Sequence, residues 1–414
     1  LFSGNLALQQ AWNRLLQARA TLCIAASAFS PQITGTSSLS DVTQKGSQGG
    51  IGFGFNAGDG VEEEFFGQGR DFSNFTLAGQ LSYEVDLWRR IDSTVRAACE
   101  NVRATKQDLD ATALTLSGTA AEFWLTLQEQ KELIALIESQ IAASRTQLEL
   151  VELRYTVGES TGLDVYQQRL QLAGTEADLP PARRAYELAV NGLQTLLGRP
   201  AVGAPDWQIE ELEETLPPLP SLGTPWDLTQ CRPDLKAAFH RVLAADYEVG
   251  AAIADRLPKL TLTMLAELSS FNLRKFFDGE LYSLAANLTA PIIDGGRRLC
   301  EVERRRAILW ERVNAFGDLF LQAIKEVEDA LEREKEQINL LEKLHVQSQA
   351  AQSAFEESQW RYIAGQTNYL DVITALQSLQ NIERRLILEK KNLWSYRVAL
   401  YRALGGGFEI CGGI

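Results

Sequence analysis

The side chains that could carry chemistry are few and scattered. His240 and His345 lie far apart in the chain, and no nucleophile elbow accompanies either. Cys23, Cys99, Cys231, Cys300 and Cys411 show no CxxC spacing and an odd count, which argues against a zinc site or a disulfide framework and for buried free thiols. Met264 is the single methionine and offers no thioether path for a soft metal. Gly50-Ile51-Gly52-Phe53-Gly54 has the glycine density of a phosphate loop, but no Lys-Ser/Thr trails it and no helix follows, so it reads as a solvent-side loop between strands. Two carboxylates remain, Asp164 and Asp371, each just past a turn where an acid favours the start of a helix. No catalytic residue, cofactor or metal is expected, and the chain is not read as an enzyme.

The elements that would position those carboxylates occur twice. Arg154-Tyr155-Thr156-Val157-Gly158 with Leu163-Asp164-Val165 reads like Arg361-Tyr362-Ile363-Ala364-Gly365 with Leu370-Asp371-Val372, at a constant offset of 207. Leu193, Leu197 and Gly198 match Leu400, Leu404 and Gly405 at the same offset. Upstream, Ser30-Pro31-Gln32-Ile33-Thr34 parallels Leu257-Pro258-Lys259-Leu260-Thr261, and Val85-Asp86 with Arg89-Arg90 parallels Ile293-Asp294 with Arg297-Arg298. Each half therefore reads helix, strand, strand, long helix, turn, long helix.

Four segments alternate with a period of two, one set of side chains to each sheet face. Phe75, Leu77, Gly79, Leu81, Tyr83 and Val85 oppose Asn74, Thr76, Gln80, Ser82 and Glu84. Leu260, Leu262 and Met264 oppose Lys259, Thr261 and Thr263, and a last set from Tyr282 to Ile292 opposes Ser283, Asn287 and Thr289. Pro31 to Thr43 is the weakest of the four. Long linkers join them, Gly46 to Gly69 and the shorter Phe271 to Glu280. A soluble sandwich would alternate in the same way. No run of about 18 apolar residues exists, so a closed β-barrel is the only spanning option. Four strands cannot close one, since small barrels need about eight, and several copies would have to share it.

The helices are long for a globular domain. An apolar stripe runs without proline from Leu87 to about Val157, with Val95, Val102, Leu109, Leu116, Leu127 and Ile137 among its members; a second runs from Arg297 to about Tyr362. About 70 residues at 1.5 Å rise reach roughly 100 Å. Each ends at a Gly158 or Gly365 turn and is followed by an amphipathic return helix, Leu163 to Leu197 or Leu370 to Leu404; Pro180-Pro181 is expected to break the first. The organisation expected is a helix over 1–30, a β-hairpin over 31–86, a coiled helical hairpin over 87–198 and an equatorial linker over 199–230. A helix over 231–257, a second β-hairpin over 258–294, a second coiled hairpin over 295–405 and a tail over 406–414 follow. A net charge of −14 disfavours nucleic acid as a partner. Leu1 opens inside an amphipathic pattern with no secretory leader, as a mature or truncated chain would.

Several motifs together carry a family resemblance over nearly the whole chain. Cys231-Arg232-Pro233-Asp234-Leu235, Pro291-Ile292-Ile293-Asp294-Gly295-Gly296-Arg297, Glu326-Val327-Glu328-Asp329-Ala330, Tyr369-Leu370-Asp371-Val372 and Leu400-Tyr401-Arg402-Ala403-Leu404-Gly405-Gly406-Gly407 resemble those of the TolC-like outer-membrane efflux proteins, in particular the outlets of resistance-nodulation-division pumps. The resemblance implies a membrane α+β fold with an internal two-fold repeat. Antiparallel coiled helices would form a trimeric α-barrel crossing the periplasm, continuous with a twelve-stranded β-barrel in the outer membrane to which each subunit gives four strands. It implies a passive exit duct without a cofactor, loaded by a periplasmic adaptor and an inner-membrane transporter. Val157, Gly158, Ala364 and Gly365 resemble tips on which adaptors dock. Asp164 and Tyr362 match a latching pair, Tyr155 stands where Tyr362 does in the other half, and Asp371 matches a lumen-facing acid ring that would attract cations. The chain departs at Thr367 and Thr374, where the family's archetype has an arginine and a second carboxylate. The outlet of a type I protein secretion system and a soluble coiled-coil scaffold are the alternative readings.

Overall fold

The structure is a computed structural model describing residues 4–44, 70–202, 209, 216–220, 222–270 and 279–406, with backbone alone for 41–44 and 70–74. The long strand linker, the Gly50–Gly54 segment, most of the shorter linker, Cys411 and much of the expected equatorial segment lie outside the described residues. The chain divides into two compact units, one of residues 19–100 and 243–310, the other of 1–18, 101–242 and 311–414.

The first of these units holds the sheet. Strands β1 (Gln32–Gln44), β2 (Arg70–Val85), β3 (Lys259–Ser270) and β4 (Glu280–Thr289) are antiparallel and ordered β1-β2-β3-β4. Residues that face one another across an antiparallel pair share a sheet face. The register therefore stacks Ile33, Leu81, Met264 and Leu284 in one row, Tyr83, Leu262 and Ala286 in a second, and Val85, Leu260 and Leu288 in a third. The opposite face carries Thr34, Gln80 and Ser283, then Glu84, Thr261 and Asn287, interrupted by Leu265 and Leu281. The apolar face is most exposed on the edge strands, Leu284 at 82% and Ile33 at 77%, and half-buried at Leu81 and Leu262 between them. The last strand stops at Thr289, so Ile292, expected within it, lies beyond; Pro291 has no N–H for a ladder.

Both strand-to-helix junctions are closed by an aspartate. Asp86 accepts the backbone N–H groups of Ile91 and Asp92 at 3.1 and 2.7 Å, capping helix α2 (Arg90–Thr156). Asp294 accepts those of Gly296 and Arg298 at 3.1 and 3.3 Å, at the start of the second long helix, Arg297–Ile363. The remaining helices are α1 (Leu6–Ala26), α3 (Gly162–Leu196), α4 (Pro225–Cys231), α5 (Pro233–Ala254), α6 (Arg297–Ile363) and α7 (Tyr369–Ala403). The α4 turn falls in the stretch expected to be a linker, and Thr224 starts it with a capping box closed by Asp227.

The helical unit corrects one expectation. Helix α3 continues through Pro180 and Pro181, although each ring removes a donor that a carbonyl one turn earlier would use. Packing holds the turn instead: Ala182 is buried with Ile137 and Ile141 against Leu172 and Leu179, and Arg183–Glu138 and Arg145–Glu176 pair at 2.7 Å on either side. The thiols are a second correction. No described cysteine is in a disulfide, but Cys23 and Cys300 are exposed and Cys99 and Cys231 only half-buried. Cys23 on α1 and Cys300 on α6 sit on faces that no other described segment of the chain covers.

Candidate functional site

The two carboxylates and two tyrosines singled out by the duplicated motif sit at two turns built alike. At the first, the Gly158 N–H reaches the Tyr155 carbonyl at 3.1 Å and the Glu159 N–H the Arg154 carbonyl at 2.9 Å. At the second, the Gly365 N–H reaches Tyr362 at 3.0 Å and the Gln366 N–H reaches Arg361 at 2.8 Å. This is the Schellman closure, which needs a left-handed residue after the helix, and Gly158 (φ 81°) and Gly365 (φ 72°) supply it without a Cβ clash. Val157, Gly158, Ala364 and Gly365 are all exposed at these ends.

The return helices start differently. Thr161 caps α3 with a complete capping box: its hydroxyl accepts the Asp164 N–H at 3.3 Å and the Asp164 carboxylate accepts the Thr161 N–H at 3.1 Å. Asn368 caps α7 without a side-chain bond, and Asp371 takes the hydroxyl of Thr367.

The structure joins Asp164 to Tyr362. The phenol donates to the Asp164 carboxylate at 3.3 Å, Ser160 Oγ donates to the same carboxylate oxygen at 2.9 Å, and Ser160 and Tyr362 oxygens stand 3.1 Å apart. The Arg154 guanidinium lies over the Tyr362 ring, 5.1 Å from its centroid, and the Tyr369 ring packs tilted against it with centroids 4.9 Å apart. Beneath them Val151, Val165, Val372 and Ile373 form a buried cluster that fixes all four helix ends.

The electrostatics follow from that geometry. Partial burial alone would push the Asp164 carboxyl up, but hydrogen bonds from the Thr161 backbone, Ser160, the Thr161 hydroxyl and Tyr362 together outweigh it and hold it below the usual carboxylate range. Burial and the neighbouring Asp164 charge push the Tyr362 phenol up, and burial does the same to Tyr369.

The other two predicted members stand apart. Tyr155 is 53% exposed, its ring lying over Gly162, and Asp371 is exposed on its own turn. Sequence reasoning passed over Ser160 and gave no role to Arg154 or to the fully buried Tyr369, both named only within motifs; the Tyr369 hydroxyl donates to Gln168 at 2.8 Å. The Thr161-x-x-Asp164 capping signature was present to be read; nothing in local spacing announces Tyr369 or Gln168.

A polar seam continues below the turns. Gln168 donates to the Ser144 carbonyl at 2.8 Å, Gln171 to Gln380 at 2.8 Å and Gln377 to Gln171 at 2.7 Å, with Gln168, Gln171 and Gln380 buried. Farther along, Arg397 and Glu334 form a bidentate pair at 2.6 and 2.8 Å, both nearly sealed from solvent, and Arg397 also holds the Pro217 carbonyl at 2.5 Å. No three His, Cys, Asp or Glu side chains converge as a metal site among the described residues, and no helix among them is long and apolar enough to cross a membrane.

Long paired helices and a four-stranded sheet with one apolar face are the build of a TolC-type outer-membrane channel, a transport component rather than an enzyme. Residues 2–199 and 225–406 match the outer membrane efflux protein family, and the chain belongs to it. It is 30% identical over 347 residues to the pyoverdine export outer membrane protein OpmQ of Pseudomonas aeruginosa, spanning 81% of this chain and 71% of that one. It is 30% identical over 343 residues to the toluene efflux pump outer membrane protein TtgF of Pseudomonas putida, spanning 81% and 70%. Among solved structures it resembles the outer membrane protein VceC of Vibrio cholerae, with a TM-score of 0.84 and 26% identity over 98% of this chain and 94% of that one. The fold also matches CusC, with a TM-score of 0.87 at 22% identity over 98% and 90%. The protein is an efflux channel of the outer membrane.

Proposed function

We propose that three copies assemble into one duct: a twelve-stranded β-barrel in the outer membrane, four strands from each copy, continuous with an α-barrel in the periplasm. The observation that carries this reading is the sheet. Its apolar rows are exposed at the edge strands, and β1 and β4 each have one edge unpaired among the described residues. Lipid tolerates an apolar face but not an open edge, so neighbouring copies must close it. The recurring order of helix, two strands and two helices, with α2 and α6 both of 67 residues and α3 and α7 both of 35, supports a duplicated unit.

Export is passive, with an adaptor protein and an inner-membrane transporter loading the channel. The names of the relatives, pyoverdine export and toluene efflux, favour small organic molecules as cargo. Asp164, Tyr362, Tyr155 and Asp371 form the gate at the helix turns, and the exposed Val157, Gly158, Ala364 and Gly365 form the adaptor's docking tips. Hydrogen bonding of Asp164 to Tyr362 supports a latch between helix ends, and the exposure of Asp371 suits a carboxylate ring that draws cations. Purified in detergent, the protein should have the mass of three chains and should insert into planar bilayers as a conducting pore. A water-soluble, monodisperse single chain would overturn the reading.

A further inference from the structure

The sheet register fixes which residues of the two halves correspond. The first hairpin pairs Gln32 with Ser82 and the second pairs Lys259 with Thr289, so β1 and its helix α1 correspond to β3 and α5, and β2 and α2 to β4 and α6. Cys23 stands nine residues before Gln32, as Gly250 stands before Lys259; Cys300 stands eleven after Thr289, as Ser93 stands after Ser82. The helix starts, Arg90 and Arg297, and the equal lengths of α2 and α6 keep the same count, although the aspartate junctions between strand and helix differ by one residue.

Inside one chain the counterparts of these two cysteines touch. Where β2 pairs with β3, helices α2 and α5 run side by side, with the Arg96 guanidinium over the Tyr247 ring, 5.9 Å from its centroid. Ser93 approaches Gly250 so closely that a Cβ on the glycine would stand 3.9 Å from the Ser93 Cβ. A disulfide joins Cβ atoms about 3.5–4.5 Å apart. Cys23 and Cys300 are themselves exposed, with Ile24 beside one at 72% exposure and Leu299 beside the other at 49%.

In the ring proposed above, β4 of one copy meets β1 of the next as β2 meets β3, so α6 of the first must meet α1 of the second as α2 meets α5. We infer that Cys300 of one copy and Cys23 of the neighbouring copy form a disulfide at each seam. The inference rests on that ring. The periplasm is an oxidising compartment in which such bonds persist. Each bond forms as two thiols give up two protons and two electrons. The electrons pass by thiol–disulfide exchange to the disulfide of a periplasmic dithiol oxidase, which leaves as a dithiol. Every copy supplies one cysteine to each of its two seams, so three bonds close a covalent ring near the ends of the strands.

The test is the mass of the full-length protein exported to the periplasm of a Gram-negative host, alkylated during lysis to stop exchange, and run on denaturing gels. Without reductant it should migrate as three linked chains, and with dithiothreitol as one. Cys23→Ser and Cys300→Ser should each abolish the linked bands. Differently tagged copies, one bearing Cys23→Ser and the other Cys300→Ser, should on co-expression restore a reducible two-chain band carrying both tags. A native mass of three chains in detergent with only single chains on the non-reducing gel overturns the inference and leaves the ring standing, as does a linked band that survives either serine variant. A native mass of one chain overturns both.

Discussion

In the sheet, Ile33 and Leu284 stand open on one face while Gln80, Glu84 and Asn287 gather on the other; in the helical unit Gln168, Gln171, Glu334 and Arg397 are buried while Leu163, Leu170 and Trp360 are exposed. The two regions thus distribute polarity in contrasting ways, and each departs from an ordinary water-soluble core. For the sheet the difference supports the lipid-facing wall proposed above, because an exposed apolar face is stable against hydrocarbon. For the helices it identifies what chooses among alignments. Apolar stripes at heptad spacing pack in several registers, and buried polar partners select one at some cost in stability.

The largest expected effect is at Arg397. Arg397→Ala leaves Glu334 charged, buried and alone, and should cost about 3–5 kcal/mol in denaturant unfolding followed by helical circular dichroism. Arg397→Met with Glu334→Leu should recover most of it; a single variant as stable as the wild type would show that burial does not hold in the assembled protein. Next is the sheet. Leu284→Arg should destabilise membrane-inserted protein by about 2–4 kcal/mol, whereas Ser283→Arg, one residue along and on the opposite face, should cost far less. Equal losses in the inserted fraction would erase the distinction between the faces.

Gln171→Ala should cost about 1–3 kcal/mol by leaving the Gln380 and Gln377 amides without their partner. The smallest effect is at the turns. Tyr362→Phe removes one hydroxyl, costs about 1 kcal/mol and should raise resting conductance in bilayer recordings. Because the Asp164 carboxyl is held low, its contribution is complete above about pH 4 and disappears as pH falls through its folded value. The stability gap between wild type and Asp164→Asn should therefore be flat near neutrality and close in acid.

Much of this was legible in the sequence because it is local. Period-two alternation placed Leu81 and Met264 on the face where the register pairs them, and the repeated glycines marked both turns. The residues that escaped are those whose partners are distant. Arg397 and Glu334 are 63 residues apart on different helices, and neither position looks apolar, so hydrophobic periodicity passes over the most deeply buried charges in the helical unit. Pro180 and Pro181 misled for the converse reason: the rule that predicts a break is local, and the contacts of Ala182 with α2 that override it are tertiary. Cys23 and Cys300 misled because cysteine is usually buried, while their helix faces are uncovered in a single chain.

The unpaired borders of β1 and β4 also govern how the protein comes into being. Neither border has a partner among the described residues, so in the proposed assembly ribbon closure is a bimolecular event whose rate rises with the local density of newly made chains. Dilution should therefore slow maturation without lowering the stability of finished channels. A variant that weakens only the meeting of borders would accumulate as single chains with normal helix content.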